Sequence, residues 1–196
     1  MITADVVKEL RQRSGAGMME CKRALEESEG DLEKAMDVLR KKGAAGVAKR
    51  AGRVASEGVV EAYVHLGGKI GVLIEVNCET DFVAKTDEFK SLARHLAMQV
   101  AAADPLSVDR EAVPAEVLQR ERGIYEEQAR ATGKPEAVVE KIVGGKVEKY
   151  YADVVLLEQP YIRDPDRKVR DVVEEAAAKL GENLVVRRFV RFAVGA

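Results

Sequence analysis

At Val59 the spacing of apolar residues changes from a helical repeat to alternation, and no other feature of the chain constrains its fold as strongly. Alternation runs through residues 59–66 and again through residues 70–76, with Gly67-Gly68 between the two runs. Two alternating runs joined by a glycine pair predict a β-hairpin. The chain therefore changes from helices to a sheet at about residue 59.

Before residue 50, apolar residues recur at helical spacing in three short segments. The first segment ends at the break Ser14-Gly15-Ala16-Gly17, and the second begins at Met18. Asp31 is a suitable N-terminal cap for the third segment, and Gly43 fits its C-terminal end. The expected inward face of the second helix consists of Met18, Cys21 and Leu25.

Three helices this short bury only a modest core, so we expect them to form a satellite recognition domain. Residues 44–58 are rich in Ala, Gly and basic residues, which indicates a helical tail that runs into a linker. The predicted divisions are a three-helix domain over residues 1–50, a linker over residues 51–58 and a core domain over residues 59–196.

Four helices and one further strand are expected after the hairpin. Thr86 caps the first of these helices, and Pro114 and Pro135 open the next two. Gly144-Gly145 is expected to bend or break the third helix. The last helix is predicted over residues 166–180 and the last strand over residues 183–193. The fold class is therefore α+β: a three-helix head, then a three-stranded antiparallel sheet packed with helices.

The charge of the chain argues against nucleic acid as a partner. The chain has 32 Lys and Arg against 34 Asp and Glu, a formal net charge of −2, and these charges are spread along the sequence. Its pI of about 5.9 is far below the values above about 9 that are typical of nucleic-acid-binding domains. We therefore expect no nucleic-acid partner.

Cys21 and Cys78 are the only cysteines, and neither has a second Cys or a His nearby at the spacing of a zinc motif. Isolated thiols are most often buried apolar residues of proteins in a reducing compartment. The first ten residues are charged and amphipathic, and no run of about eighteen apolar residues occurs. We expect a cytoplasmic protein with no metal, no cofactor and no membrane contact.

Three glycine-containing segments resemble parts of nucleotide-binding motifs but lack the remainder. Gly15-Ala16-Gly17 follows a helical segment instead of a strand, and Glu20 stands where the third glycine of a dinucleotide-binding motif belongs. Gly68-Lys69 and Gly145-Lys146 lack the Ser or Thr that follows the lysine of a phosphate-binding loop. The chain is therefore not expected to be a GTPase itself.

No set of residues indicates an enzymatic activity. His65 and His95 have no nucleophile at a spacing recognised for acyl transfer. Glu79 and Asp81 are alternate residues that could act as acid and base only in a cleft, which nothing else in the sequence builds. We expect this pair to lie in a solvated turn and the chain not to be an enzyme.

The segment from Glu75 to Lys85, EVNCETDFVAK, joins the second strand to the helix that Thr86 caps. Phe82 could be a buried anchor of the core. A large aromatic residue that is flanked by Asp81 and polar residues at a strand-to-helix turn could instead face outward as the anchor of an interface. The residues alone favour neither alternative.

This segment resembles the second signature of the elongation factor Ts family. Residues 10–25, LRQRSGAGMMECKRAL, are similar to the first signature of that family, with Ser14 where Thr is usual. The likeness extends to residues 156–160 and 181–192. Because two long motifs occur in the order of the family, the resemblance is specific.

The resemblance implies a guanine nucleotide exchange factor, not an enzyme, whose partner is GDP-bound elongation factor Tu. Thr80, Asp81, Phe82 and Val83 correspond to the turn that intrudes beside the Mg²⁺ end of the nucleotide pocket. A wedge that moves the ligands of this metal removes part of the energy that holds GDP.

The resemblance also implies that the three-helix head docks on the GTPase. Met18 and Met19 lie about 100° apart on a helix, so both cannot face a small core. Met19 is off the apolar stripe, and we expect it to form a docking patch with Lys22 and Arg23. Because the head alone is similar to ubiquitin-associated domains, a general protein-binding adaptor is the alternative function.

Longer members of the family contain a duplicated core with a coiled-coil insertion, whereas this chain has room for one core and no heptad run of the needed length. We therefore expect a homodimer that pairs through the sheet. Helices on one side cannot cover both apolar faces of the strands, so the face with Val185 and Phe189 is the expected interface. Whether Arg187 and Arg191 face the partner is left open by the sequence.

Overall fold

The computed structural model describes residues 2–195, which form a helical head, a sheet covered by helices, and a helical hairpin. The elements in chain order are α1 (Ala4–Ser14), α2 (Met18–Glu27), α3 (Leu32–Arg50), β1 (Glu57–Val64), β2 (Ile70–Cys78), α4 (Asp81–Ala84), α5 (Asp87–Ala103), α6 (Ala115–Arg130), α7 (Glu136–Val154), a 3₁₀ turn (Leu156–Glu158), β3 (Pro160–Tyr161), β4 (Asp164–Lys168), α8 (Val169–Leu180) and β5 (Val185–Ala193). None of the helices in residues 2–195 combines the length and the apolar character needed to cross a membrane.

The head consists of α1, α2 and α3, and local signals in the sequence set the limits of these helices. Gly15 ends α1 with φ of +69°, a left-handed conformation that glycine adopts without strain. The Asp31 carboxylate accepts hydrogen bonds from the backbone N–H groups of Glu33 and Lys34 at 3.0 and 3.1 Å, which caps α3. The buried core of the head consists of Val7, Leu10, Cys21, Ala24, Leu25 and Ala35.

Two expectations about the head are wrong. The third helix does not end at Gly43 but continues to Arg50, because Gly43 lies where α3 packs on α8 and a Cβ atom at Gly43 would be 3.3 Å from the Cβ atom of Ala178. Met18 does not share the buried face of Cys21. It is the first residue of α2, and its side chain is exposed.

The sheet has the order β1-β2-β5, and both pairs of strands are antiparallel. Its inner face packs on α5, and α8 packs in turn on α5. The side chains of Ile74, Val76, Phe89 and Leu96 are completely or almost completely buried in the core that these elements share. The helices after the sheet cover this one face. The predicted α+β class, with a three-stranded antiparallel sheet packed with helices, is therefore confirmed.

A β-bulge at Arg187 changes which side chains of β5 face the helices. Val186 pairs with Val76, but Arg188 pairs with Glu75, so Arg187 is an extra residue between the two pairs. An extra residue reverses the alternation of side chains from that point onward. Residues on the two sides of Arg187 that share a face in the sequence pattern therefore lie on opposite faces in the sheet.

Helices α6 and α7 form a hairpin that the chain joins through residues 131–135. Its buried residues form a core of their own, Ala129, Val139 and Val143, which Tyr125, Ile142 and Val147 flank. Of the bend or break expected at Gly144-Gly145, the break is wrong, because α7 is continuous from Glu136 to Val154. Contacts of neighbouring residues with α6 offset the low helix propensity of the two glycines.

A short two-stranded sheet, β3 with β4, replaces the expected start of the last helix. Buried Gln99 on α5 fixes this sheet: its Oε1 accepts the N–H of Ile162 at 2.8 Å, and its Nε2 donates to the backbone oxygen of Pro160 at 3.1 Å. Helix α8 begins at Val169, where the Asp171 carboxylate accepts the N–H of Lys168 at 3.0 Å. The predicted start at residue 166 is therefore three residues too early.

Candidate functional site

The turn between β2 and α5 is built around the four-residue helix α4. Thr80 caps this helix: its Oγ1 accepts a hydrogen bond from the N–H of Val83 at 3.4 Å. Thr86 then caps α5, since its Oγ1 accepts the N–H of Phe89 at 3.2 Å and donates to the backbone oxygen of Val83 at 2.7 Å. Two caps six residues apart give the segment a defined path from strand to helix.

Phe82 faces outward from this turn, with 79% of its surface exposed. Ala84 is buried in the main core and Val83 packs against it, so these neighbours anchor the segment from below. This exposure contradicts the alternative in which Phe82 is a buried anchor of the core. An exposed aromatic side chain on an anchored turn is suited to an interface, because little order is lost when a partner covers it.

Asp81 lies beside Phe82, and its carboxylate accepts a hydrogen bond from the Lys85 ammonium at 2.5 Å. This hydrogen bond and the attraction of the two charges raise the pKa of Lys85. Both side chains are largely exposed, so the pair contributes little to folding. The Asp81 carboxylate can therefore exchange Lys85 for another cation or donor without a large cost in stability.

The backbone at the start of the turn is held by Glu182, which follows α8. The Glu182 Oε2 atom accepts the N–H groups of Glu79 and Thr80 at 2.9 and 3.1 Å, and its Oε1 accepts the hydroxyl of Thr80 at 2.6 Å. One carboxylate thus binds three donors of two consecutive residues. Such bonds to an ionised acceptor are stronger than bonds between neutral groups.

Glu79 makes the reverse contact with the segment that carries Glu182. Its Oε1 accepts the N–H of Asn183 at 2.7 Å, and its Oε2 is 3.4 Å from the Arg53 guanidinium. The side-chain amide of Asn183 donates to the backbone oxygen of Arg53 at 2.8 Å. The solvated acidic pair expected at Glu79 and Asp81 is therefore divided: Glu79 is a structural residue, and Asp81 is exposed.

Cys78 ends β2 directly below the turn, and its Sγ donates to the backbone oxygen of Thr80 at 3.2 Å. Burial, and then the negative charge of Glu182, raise the pKa of Cys78 to about 11. The thiol is therefore protonated at neutral pH and remains a hydrogen-bond donor. Within residues 2–195, no group of three or more His, Cys, Asp and Glu side chains is placed to hold a metal ion.

The predicted docking residues of the head share one exposed face of α2. Met19, Lys22 and Arg23 have the spacing i, i+3 and i+4, which places them side by side on a helix. Met19 is 59% exposed, and Lys22 is 3.9 Å from Glu26 of the next turn. Met18 is exposed beside them, so the apolar part of this surface is larger than the sequence indicated.

The two residues predicted for the dimer interface lie on opposite faces of the sheet. Val185 is on the outer face, but Phe189 pairs with Ile74 and packs against the main core. The assignment of Phe189 to a free face is wrong because the bulge at Arg187 reverses the alternation. Arg191 also faces inward, and its guanidinium lies 3.1 Å from Asp104 at the end of α5.

The outer face of the sheet, opposite α5, carries exposed apolar side chains from all three strands. These are Val60, Val64, Leu73, Val190 and Phe192. A shallow apolar depression lies between Val60, Leu73 and Val190, bordered by the ion pair of Glu75 and Arg188 at 2.7 Å. We refer to this surface as the open sheet face.

The chain matches one protein family along almost its whole length. The model of the family described as Elongation factor TS matches residues 3–196. The chain belongs to the elongation factor Ts family. It is 63% identical over 195 residues to Elongation factor Ts of Carboxydothermus hydrogenoformans. The aligned residues cover 100% of this chain and 90% of that relative. The same identity, over 100% of this chain and 96% of the relative, holds for Elongation factor Ts of Moorella thermoacetica.

The family membership predicted from the two signature segments is thereby confirmed. The first segment, residues 10–25, includes the exposed residues Met19, Lys22 and Arg23 of α2, and the second, residues 75–85, forms the end of β2 and the turn with Phe82. Both signature segments therefore include exposed residues that the packing of the core does not require.

Two parts of these surfaces could not be predicted from the sequence. Glu182 contacts the turn from 102 residues away, and no local pattern in the sequence indicates that pairing. Val190 and Phe192 of the open sheet face were visible as one side of an alternating strand. The bulge that decides which side is open leaves no comparable signal in a single sequence.

Proposed function

We propose that the protein is a guanine nucleotide exchange factor that binds GDP-bound elongation factor Tu and promotes the release of GDP. The observation that carries this proposal is the exposed side chain of Phe82 on a turn that is fixed on both sides. The membership of the elongation factor Ts family supports the same activity. The protein makes and breaks no covalent bond in this function, so it is not an enzyme.

The head docks first, and the turn then acts on the nucleotide site. Met19, Lys22 and Arg23 supply an apolar and cationic patch for docking on the three-helix head. Phe82 and Asp81 then enter beside the Mg²⁺ and phosphates of GDP, with Thr80 and Val83 as the base of the wedge. Each 1.4 kcal/mol by which the wedge weakens nucleotide binding lowers that affinity about tenfold.

Exchange by this route is a cycle, because the coupling between two ligands of one protein is reciprocal. If the factor weakens the binding of GDP, nucleotide weakens the binding of the factor by the same ratio. The nucleotide that rebinds therefore expels the factor, and the released GTPase carries GTP into the next round of elongation in the cytoplasm.

We also propose that the working unit is a homodimer that pairs through the open sheet face. Exposed apolar side chains on three adjacent strands form a continuous surface, whereas single exposed apolar residues are ordinary. A two-fold contact requires only that this surface is complementary to itself. The ion pair of Glu75 and Arg188 borders it on each subunit and supplies a polar edge.

The release of fluorescent GDP from purified elongation factor Tu tests the exchange function. We expect the wild-type protein to accelerate release, and Phe82→Ala to remove most of the acceleration, since buried aromatic anchors commonly contribute about 2 kcal/mol or more. Leu66→Ala truncates an exposed apolar residue of the hairpin turn and serves as the matched control with wild-type exchange. A protein that binds the GTPase without accelerating release is an adaptor and contradicts the proposal.

A further inference from the structure

The hydrogen bonds of the turn to Glu182 replace the pairing that the backbone loses where the sheet ends. Cys78 is the last residue of β2 that pairs with β1, opposite Glu57. The next two N–H groups, those of Glu79 and Thr80, both point to the carboxylate of Glu182. A backbone N–H that lacks a partner here would be costly, so the position of the carboxylate determines where these two residues lie.

Glu182 is itself at a fixed point of the fold. The residue before it, Gly181, ends α8 with φ of +75° and donates its N–H to the backbone oxygen of Ala177 at 3.0 Å. The residue after it, Asn183, is buried and donates its N–H to the Glu79 carboxylate at 2.7 Å. The carboxylate is therefore held between a helix end and a strand start, and the turn must follow it.

The hydrogen bond between Glu182 and the Thr80 hydroxyl also affects α4, the helix that carries Phe82. Because the hydroxyl proton is donated to Glu182 at 2.6 Å, an oxygen lone pair of Thr80 remains to accept the N–H of Val83. That bond begins α4 and sets the direction of its axis. Because the side chain of Phe82 is 79% exposed, its position depends mainly on the backbone of this turn.

We propose that Glu182 is a positioning residue for nucleotide exchange: it holds the turn so that Phe82 enters the GTPase in the orientation that releases GDP. This inference rests on the proposed exchange function. Glu182 acts through Thr80 and Phe82 and needs no contact with the GTPase. A prepositioned wedge loses less conformational freedom when the complex forms its exchange-competent state, and the benefit appears in the rate of release.

Two variants separate the acceptor role of Glu182 from its charge. Glu182→Ala removes the acceptors of all three donors. In Glu182→Gln, the side-chain oxygen can accept both N–H groups while the amide donates to the Thr80 hydroxyl, so the geometry is largely retained without the charge. Glu174→Ala, an exposed glutamate on α8, is the matched control with the same substitution.

Stopped-flow release of fluorescent GDP from elongation factor Tu, measured at increasing concentrations of each variant, gives a maximum rate and a half-saturating concentration. We expect Glu182→Ala to lower the maximum rate about tenfold while the half-saturating concentration changes less than about twofold, because the head still docks. Glu182→Gln should be slowed less, and Glu174→Ala should behave as wild type. A Glu182→Ala protein with the wild-type maximum rate overturns the inference.

A double variant tests whether Glu182 acts through Phe82. In the Phe82→Ala background, Glu182→Ala should reduce the maximum rate no further. An equal reduction in both backgrounds would show that Glu182 acts elsewhere and overturns the inference. Hydrogen exchange of the Glu79 and Thr80 amides, measured on the factor alone, should be about tenfold faster or more in Glu182→Ala.

The amide measurement also separates this inference from the proposed function. A wild-type protein that does not accelerate GDP release contradicts the proposed function. In that case the Glu79 and Thr80 amides still show whether Glu182 holds the turn, and unchanged protection in the folded Glu182→Ala protein overturns the positioning role.

Discussion

Gly43 of α3 packs directly on Ala178 of α8, and a Cβ atom at Gly43 would lie 3.3 Å from that of Ala178. This contact joins the head to α8, and one of its two residues, Gly43, has no side chain. Since α3 is continuous through Gly43, the glycine is present for close packing and not to end the helix. The orientation of the docking patch therefore depends on this approach.

We expect Gly43→Val to loosen the head from α8 and to lower the free energy of unfolding by about 1–3 kcal/mol, as overpacked sites do. The measurement is urea unfolding, combined with limited proteolysis at residues 51–56 between α3 and β1. Gly46→Ala is the matched control on the same helix, because its new methyl would meet only the flexible end of Arg50. That variant should gain about 0.5–1 kcal/mol from helix propensity. Equal stability of the two variants would contradict the packing role of Gly43.

Arg110 links the hairpin to the main core through two carboxylates. Its guanidinium donates to Glu158 at 2.5 Å and to Glu148 of α7 at 2.7 Å, and it stacks on the ring of Tyr151. These hydrogen bonds to Arg110 lower the pKa values of Glu158 and Glu148. A carboxyl group whose pKa is lower in the folded state stabilises the fold above its unfolded pKa, near 4.5, and loses that contribution as pH falls through the folded pKa.

We therefore expect the free energy of unfolding to fall between about pH 5 and pH 3, and this fall to be shallower in Arg110→Ala. At pH 7 the variant should be less stable by about 2 kcal/mol, since Glu158 is buried and loses its main partner. Urea unfolding at pH 7, 5, 4 and 3 measures both effects. Arg122→Ala removes the exposed pair with Glu126 and is the control, with a wild-type pH profile. A wild-type profile for Arg110→Ala would contradict the assignment.

Val190 and Phe189 are neighbours on β5 that face opposite sides of the sheet, so the same substitution should have different effects at the two positions. Val190→Asp puts a charge on the open sheet face and should convert a dimer to a monomer, because a buried unpaired charge costs several kcal/mol. Phe189→Asp puts the charge against the main core and should destabilise the fold itself, by about 3 kcal/mol or more.

Sedimentation equilibrium at micromolar concentration distinguishes these effects, with far-ultraviolet circular dichroism as the measure of folding. Val54→Asp changes an exposed apolar residue between α3 and β1 and should leave the mass unchanged. A wild-type protein that sediments as a monomer would refute the homodimer. A dimer that survives Val190→Asp would place the interface elsewhere.

The elements that could be predicted from the sequence are those that local chemistry determines. Thr86 and Asp31 cap helices in the structure as the sequence indicates, and Gly67-Gly68 turns the hairpin with positive φ at both residues. Each of these signals lies within four residues of the feature that it predicts. The apolar stripe of α5 is likewise local, and its members Phe89 and Leu96 are buried as expected.

The features that could not be predicted depend on contacts between distant residues. In the sequence, Gly43 resembles a glycine that ends a helix. Only its contact with Ala178 shows that Gly43 lets α3 pack closely on α8. The bulge at Arg187 follows from how β5 meets β2 and has no counterpart in the pattern of β5 alone. The turn with Phe82 depends on a local contact and on a distant one. Thr80 caps the adjacent helix α4, whereas Glu182 follows the C-terminal end of α8.

The separation of 102 residues between Thr80 and Glu182 sets an order in which the parts of the molecule can form during synthesis. The ribosome produces the head, the β-hairpin and the helical hairpin first, and each of these can fold from contacts close in sequence. The turn with Phe82 lacks its hydrogen bonds to the Glu182 carboxylate until the residues after α8 have been synthesised and β5 has joined the sheet. A nascent chain would therefore have a folded head before the turn with Phe82 is in position. Under the proposed function, the surface for docking on the GTPase forms before the turn that acts on the nucleotide.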